Sequence, residues 1–493
     1  MLRKIKSFLF VNQTGKQTVA KNTFWLGVSN VGGRLIKAII IIYAARVLGA
    51  AGWGVFSYGV TITAFLTVFI DFGMNSILVR ELTRAGNSKE KSEVLSTLFL
   101  IKILALTLGA ILILFAAPRL TNIKGVGEIL PIVLFIMIFD SLREFGFAIN
   151  KVFEKMEREA GLFILTNVAI VLFGFLFLKL HPTVKSFAYA YALGTAIGMI
   201  STALVLRKSI GRILFDFNRK FIKPIVSAAW PFAISGVLGV LMINTDIILI
   251  GAMRSAEDVG LYSAADRILQ ILYVLPSIVA GSVLPTFSRL AGKDNEKMRS
   301  VFERIIGLIL LIAIPISVGG FILSKEITVG LFGNQYLGGV SSLQILILTL
   351  MVNFPAVIIS GAMFAYNRQK MLIINSALGG GANLILDLIL IPRFGILGSA
   401  IATLLAQILS NIYLWSAMKR TNYFKVIGRL KKVALATAVM ALIIWLMALE
   451  KIGIAFILPV GIALYFGILL YAKEPLLEEL KLIWHSSSRV AKT

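Results

Sequence analysis

The sequence predicts an all-α integral membrane protein with about fourteen transmembrane helices. Three observations carry this. The 493 residues are 58% hydrophobic and only 15% charged, where a soluble domain carries about 25% charged residues. Apolar runs long enough to cross a bilayer, about 20 residues each, recur along the whole chain. The connections between them alternate between rich and poor in Lys and Arg, as the loops on opposite faces of a membrane do.

Runs bounded by charge or by Gly/Pro breaks fall at 22–48, 54–79, 93–117, 126–150, 161–178 and 184–206 in the first half. The second half holds 224–253, 259–287, 301–323, 341–366, 371–391, 396–418, 426–449 and 452–471. When basic residues at span ends are counted with the loop they adjoin, the connections on the N-terminal side of the membrane carry 35 of the 49 Lys and Arg, and the opposite side carries 9. This places both termini in the cytoplasm of a multi-pass protein of the cytoplasmic membrane. It also accounts for the net charge of +25 without nucleic acid. The basic face is suited to gripping anionic lipid head groups.

The N-terminal stretch 1–21 has an apolar core of five residues, Ser7 to Val11. That is shorter than a signal-peptide core of about 7 to 15 residues, so the stretch reads as an uncleaved cytoplasmic segment. No connection is long enough for a soluble domain. Gly54-Val55-Phe56-Ser57-Tyr58, opening span two, is echoed by Gly260-Leu261-Tyr262-Ser263-Ala264, opening span eight. The echo divides the chain into a first lobe of spans one to six (22–206), a cytoplasmic linker (207–223), a second lobe of spans seven to twelve (224–418), an appended pair (419–471) and a cytoplasmic tail (472–493). Parallel repeats of this kind place a substrate site between the halves.

Catalytic chemistry is poorly provided for. There is no cysteine, and the two histidines, His181 and His485, lie far apart in hydrophilic connections. Gly32-Gly33-Arg34 lacks the Gly-Lys-Ser/Thr ending of a phosphate loop. The reading is therefore not an enzyme, with no metal and no cofactor beyond a possible H+ or Na+ coupling ion.

Five basic residues remain well inside spans: Arg34 and Lys37 in span one, Lys102 in span three, Arg143 in span four and Arg267 in span eight. A charge at membrane depth is costly and normally faces a cavity or a partner. Arg34 and Lys37 share a helix face and lie about 18 to 22 Å into span one, too deep to snorkel. Lys102 is shallower. Arg143 shares span four with Asp140 and Glu144, at helical spacings of three and four from Asp140, which favours a self-neutralising cluster. The intramembrane acids are Asp71, Asp140, Glu144, Asp246, Asp266 and Asp387. Asp71, Asp140, Glu144 and Asp266 are candidates for ion coupling or for pairing with the bases, Asp71 with those of span one. Asp246 and Asp387, near the outside ends of their spans, read as solvated. Pro131, Pro231, Pro276, Pro315 and Pro355 are candidate kinks, and Trp25, Trp53 and Trp415 read as interfacial anchors.

The segment Ala44-Ala45-Arg46-Val47-Leu48-Gly49-Ala50-Ala51-Gly52-Trp53-Gly54-Val55-Phe56-Ser57-Tyr58 is followed by Asp71-Phe72-Gly73-Met74 and Val79-Arg80-Glu81-Leu82. Together they resemble the opening of the polysaccharide transporter family. These are the O-antigen and exopolysaccharide flippases of the multidrug/oligosaccharidyl-lipid/polysaccharide exporter superfamily. Pro392-Arg393-Phe394-Gly395-Ile396-Leu397-Gly398-Ser399-Ala400-Ile401-Ala402-Thr403 resembles that family's entry to span twelve.

The resemblance implies two six-helix lobes in a V around a central cavity, plus two C-terminal helices. It implies a polyprenyl-pyrophosphate-linked oligosaccharide as substrate, moved by alternating access. It implies a cationic cavity, here Arg34, Lys37, Lys102, Arg143 and Arg267. It also implies partners among glycan polymerases and other polysaccharide-assembly proteins. A multidrug exporter of the same superfamily would show an acid-lined cavity, which the five bases argue against. A polymerase or ligase would carry a large outside loop, and a peptidoglycan-precursor flippase would share the same cavity logic.

Overall fold

A computed structural model describes residues 10–210 and 216–477. The first nine residues, 211–215 of the expected linker and the tail from 478, with His485, lie outside the described residues. Among the described residues the regular structure is entirely helical. Ten helical stretches are long and apolar enough to cross a membrane. Two of them each contain a pair of the expected spans, and spans four (Val126–Val152) and seven (Ile222–Met253) lie on further helices.

Glycine sets the two tightest connections. Spans one and two form one run, Gly15–Asp71, broken at Gly49 with φ 72° and ψ 172°. Spans eleven and twelve form Gln369–Thr421, broken at Gly395 with φ 59° and ψ −139°. Residues with a Cβ are sterically excluded from such backbone, so a single glycine separates each pair of spans. The expected span 54–79 stops early. Phe72 and Gly73 both adopt left-handed φ, of 41° and 72°, and the Phe72 N–H caps the helix on Val68 O at 3.1 Å. A separate helix, Met74–Arg84, carries the remainder. Span eight breaks at Tyr273 into Ala256–Leu272 and Val274–Leu290. Pro276 has no N–H to give, and its ring clashes with the carbonyl of Leu272, four residues back. Pro131, Pro315 and Pro355 stay within unbroken helices.

The chain divides into two compact units, Met1–Ser263 and Ala264–Thr493. This is not the division expected at the linker 207–223. Span seven is built into the first core: Ile225 and Ala229 join Met74, Ile77, Leu78, Leu98 and Ile149 in one buried cluster. The two sequence echoes also lie against each other. A Cβ on Gly54 would fall 1.7 Å from the Ala256 carbonyl oxygen, and a Cβ on Gly260 would fall 1.8 Å from that of Ala50. Each glycine thus receives the carbonyl four residues before the other, and the start of span eight is held in the first unit. Trp53 is 1% exposed and stacks 5.8 Å from Phe56, which meets Phe187 at 4.6 Å. It is core and not the expected interfacial anchor, because the turn at Gly49 tucks it among spans two and six.

In the second unit, Phe302 lies 4.8 Å from Phe424, which lies 5.2 Å from Trp415. The appended pair packs here as well. Tyr465 of span fourteen donates to the Leu311 carbonyl of span nine at 2.7 Å.

Candidate functional site

Two of the five intramembrane bases in the sequence, Lys37 and Arg143, lie against aromatic side chains of the first unit. Gly33 of span one has no side chain to keep span five away, and a Cβ there would meet Phe163 at 2.3 Å. This close approach brings span one beside the helices that carry Arg143 and Tyr191. The Lys37 ammonium sits 4.7 Å from the centre of the Tyr191 ring. Arg143 lies over Phe147 at 5.3 Å and Phe163 at 5.6 Å, within electrostatic reach of Tyr191. Aromatic faces hold cations without neutralising them. Tyr191 thus holds Lys37 of span one against its ring, with Arg143 of span four within electrostatic reach.

The bases differ in how far they are compensated. Arg143, whose side chain is 8% exposed, pairs with Asp140 at 3.0 Å and Glu144 at 3.2 Å. This is the local cluster expected from their spacing. Lys102 is fully buried and pairs with Asp71. The same Asp71 oxygen accepts a 3.0 Å hydrogen bond from Ser141. Asp71 therefore meets span three, not the bases of span one, and in this conformation Lys102 is committed to it. Arg34 is exposed and Lys37 half-buried, and neither has a carboxylate partner among the described residues. Arg267 lies in the second unit, where its guanidinium donates to Gln270 Oε1 at 2.6 Å and Gln270 Nε2 donates to Asp266 at 2.5 Å.

The two acids expected to be solvated are not. Asp246 is 7% exposed and accepts from the Tyr262 hydroxyl. Asp387 is fully buried and accepts from Asn383 Nδ2 at 3.2 Å. In each case burial keeps the carboxylate from bulk water and a neutral donor on a neighbouring turn or helix takes one of its oxygens. Sequence reasoning missed Tyr191. Its signal was present as an aromatic in span six, but which span-one residue it faced was not.

The family model described as Polysaccharide biosynthesis protein matches residues 19–291, and the MatE model matches residues 231–389. The chain is 23% identical to a probable low-salt glycan biosynthesis flippase of Haloferax volcanii over 471 residues, covering 93% of this chain and 96% of the relative. It is 22% identical to a putative O-antigen transporter of Shigella flexneri, covering 80% of this chain and 97% of that protein. Among solved structures, the lipid II flippase MurJ in an inward closed conformation superposes with a TM-score of 0.78 at 19% identity, covering 91% of this chain and 99% of that one. An inward-facing multidrug resistance transporter of the MATE family gives a TM-score of 0.61 at 16% identity, covering 85% and 98%. The structural likenesses establish the fold. The two sequence relatives are named a flippase and a transporter, and neither is named an enzyme.

Proposed function

Because the chain belongs to the polysaccharide biosynthesis protein family, we propose that it is a flippase. Its substrate in this reading is a polyprenyl-pyrophosphate-linked oligosaccharide, moved from the inner to the outer leaflet of the cytoplasmic membrane by alternating access, with both termini in the cytoplasm. One observation carries the reading. Of the intramembrane bases in the first unit, Lys102 and Arg143 are held by carboxylates, whereas Arg34 and Lys37, one turn apart in span one, have no carboxylate partner among the described residues, and Lys37 lies over Tyr191. A pyrophosphate is the anion that such cations serve, since charge pairing strengthens away from bulk water. Arg267 supplies a further cation in the second unit. Glycan polymerases and other assembly proteins are the partners that would consume the product.

With purified protein in liposomes and a fluorescent lipid-linked oligosaccharide, the Arg34→Ala/Lys37→Ala double variant is expected to flip at least about tenfold more slowly, the cost of losing one or two charge-assisted contacts. Unchanged flipping would remove both residues from the site, and a wild-type chain that flips nothing would sink the reading.

The membrane potential is itself a driving force. Two negative charges leaving a compartment held at about 100 mV inside-negative gain about 4.6 kcal/mol. Outward flipping is therefore expected to accelerate under a potassium diffusion potential of that sign in the absence of H+ or Na+ gradients. Flipping that responds to a proton or sodium gradient and ignores the potential would assign the coupling to an ion, with Asp71, Asp140, Glu144 and Asp266 the carboxylates to vary first.

A further inference from the structure

The second unit contains a set of polar side chains that binding of an anion does not require. Asp266, Gln270 and Tyr273 follow at spacings of four and three on the first half of span eight, so they share a helix face. The break at Tyr273 then turns its hydroxyl toward spans ten and twelve. It meets Thr349 Oγ1 at 3.1 Å and accepts from Asn353 Nδ2 at 2.8 Å. Asn353 Nδ2 also donates to Gln407 Oε1 at 2.7 Å. Polar groups from three spans are thus linked within an otherwise apolar bundle.

Two properties separate this network from the hydrogen bonds that merely fasten membrane helices together. Fastening contacts are buried and self-satisfied, as Thr349 is, whereas Asp266, Arg267, Gln270, Tyr273, Asn353 and Gln407 are all half-buried. The amides are also only partly used. Both of the hydrogen bonds of Asn353 run through its nitrogen, which leaves Oδ1 without a donor among the described residues. Gln407 Oε1 is occupied by Asn353, and its nitrogen, beside the Tyr273 hydroxyl, keeps at least one of its two N–H groups in hand. An open carbonyl acceptor next to an open N–H donor is the complement of a pair of sugar hydroxyls, each of which both donates and accepts.

We propose that Gln270, Tyr273, Asn353 and Gln407 form a hydroxyl-binding subsite in the second unit that engages the glycan of a lipid-linked oligosaccharide. The inference rests on the flippase reading above, and it separates two tasks: cations hold the pyrophosphate, and neutral amides read the sugar. A site built to hydrogen-bond hydroxyls discriminates against ligands that lack them, because its own polar groups are then left unpaired.

The test compares binding of two probes to the full chain in nanodiscs, bare undecaprenyl pyrophosphate and undecaprenyl pyrophosphate bearing a neutral trisaccharide. Wild type is expected to prefer the glycosylated probe. Gln407→Met, close in shape, and Asn353→Leu are each expected to weaken the glycosylated probe by about threefold to tenfold, the scale of one or two neutral hydrogen bonds, with the bare probe unaffected. Equal weakening of both probes, or none, would overturn the subsite and show the network to be structural. A wild type that binds both probes equally would overturn it too while leaving the flippase reading intact. A wild type that binds neither would remove the flippase reading and the subsite together.

Discussion

Gly54→Ala and Gly260→Ala are each expected to slow flipping by about tenfold or more while leaving the protein in the membrane. In the conformation described, a single added methyl would overlap a backbone carbonyl at 1.7 or 1.8 Å. A backbone carbonyl in a helix cannot rotate away as a side chain does, so the two helices have to move apart. Overpacking of this kind costs about 1–3 kcal/mol, enough to shift the populations of a transporter that cycles between conformations by a factor of ten or more. The chain has no cysteine, so a single cysteine at Ala50, 6% exposed beside the crossing, reports on it. In the alanine variants that cysteine is expected to become reactive toward a membrane-impermeant maleimide. Flipping and labelling that both match wild type would show that the helices do not need to approach this closely.

Lys102→Met and Asp71→Asn are expected to be the most damaging single changes to stability outside the apolar core, with the double variant recovering most of the loss. Removing one partner of a buried ion pair leaves an uncompensated charge and costs about 3–5 kcal/mol, whereas replacing both with groups of similar size is often near neutral. Lys102 is the completely buried partner, so Asp71→Asn, which leaves its ammonium unpaired, is expected to be the worse of the two. Thermal unfolding in detergent, followed by tryptophan fluorescence, checks the order. A double variant less stable than either single would mean that Ser141 and the surrounding helices, and not the pairing, set the stability there.

The helices were legible in the sequence because a bilayer imposes a length and an apolar composition on every crossing segment, and the fourteen runs met both. Their interruptions were less so. Gly49 and Gly395 stood at expected ends, but the stop at Phe72 had no apolar signature, since Phe72 is itself hydrophobic and only its left-handed backbone ends the helix. The boundary between the two compact units falls at Ser263/Ala264 and not at the linker, for a related reason. The linker is the most hydrophilic connection in the middle of the chain, yet Gly54 and Gly260 bind span eight to span two by the absence of side chains, which hydropathy does not register.

The candidate site divides in the same way. That five bases lie at membrane depth is a one-dimensional fact. Which are neutralised depends on neighbours from other spans. The cluster of Asp140, Arg143 and Glu144 was readable because Arg143 and Glu144 stand three and four residues from Asp140, the spacings that share a helix face. Asp71 and Lys102 are 31 residues apart, and nothing local distinguishes that partnership from one with Arg34 or Lys37. Asp246 and Asp387 were misread because depth along a span says nothing about whether a tyrosine or an asparagine is waiting there.

The pairing of Lys102 with Asp71 also bears on how the chain is made. Each residue entering the hydrocarbon alone carries a penalty of about 2.5–3.5 kcal/mol on the insertion scale. Together they present a neutral, hydrogen-bonded unit. Asp71 leaves the ribosome first and Lys102 follows within the next span, so span two is expected to enter the hydrocarbon at lowest cost together with span three, as a hairpin. The contact that stabilises the finished protein is thereby expected to couple the entry of its second and third helices into the membrane.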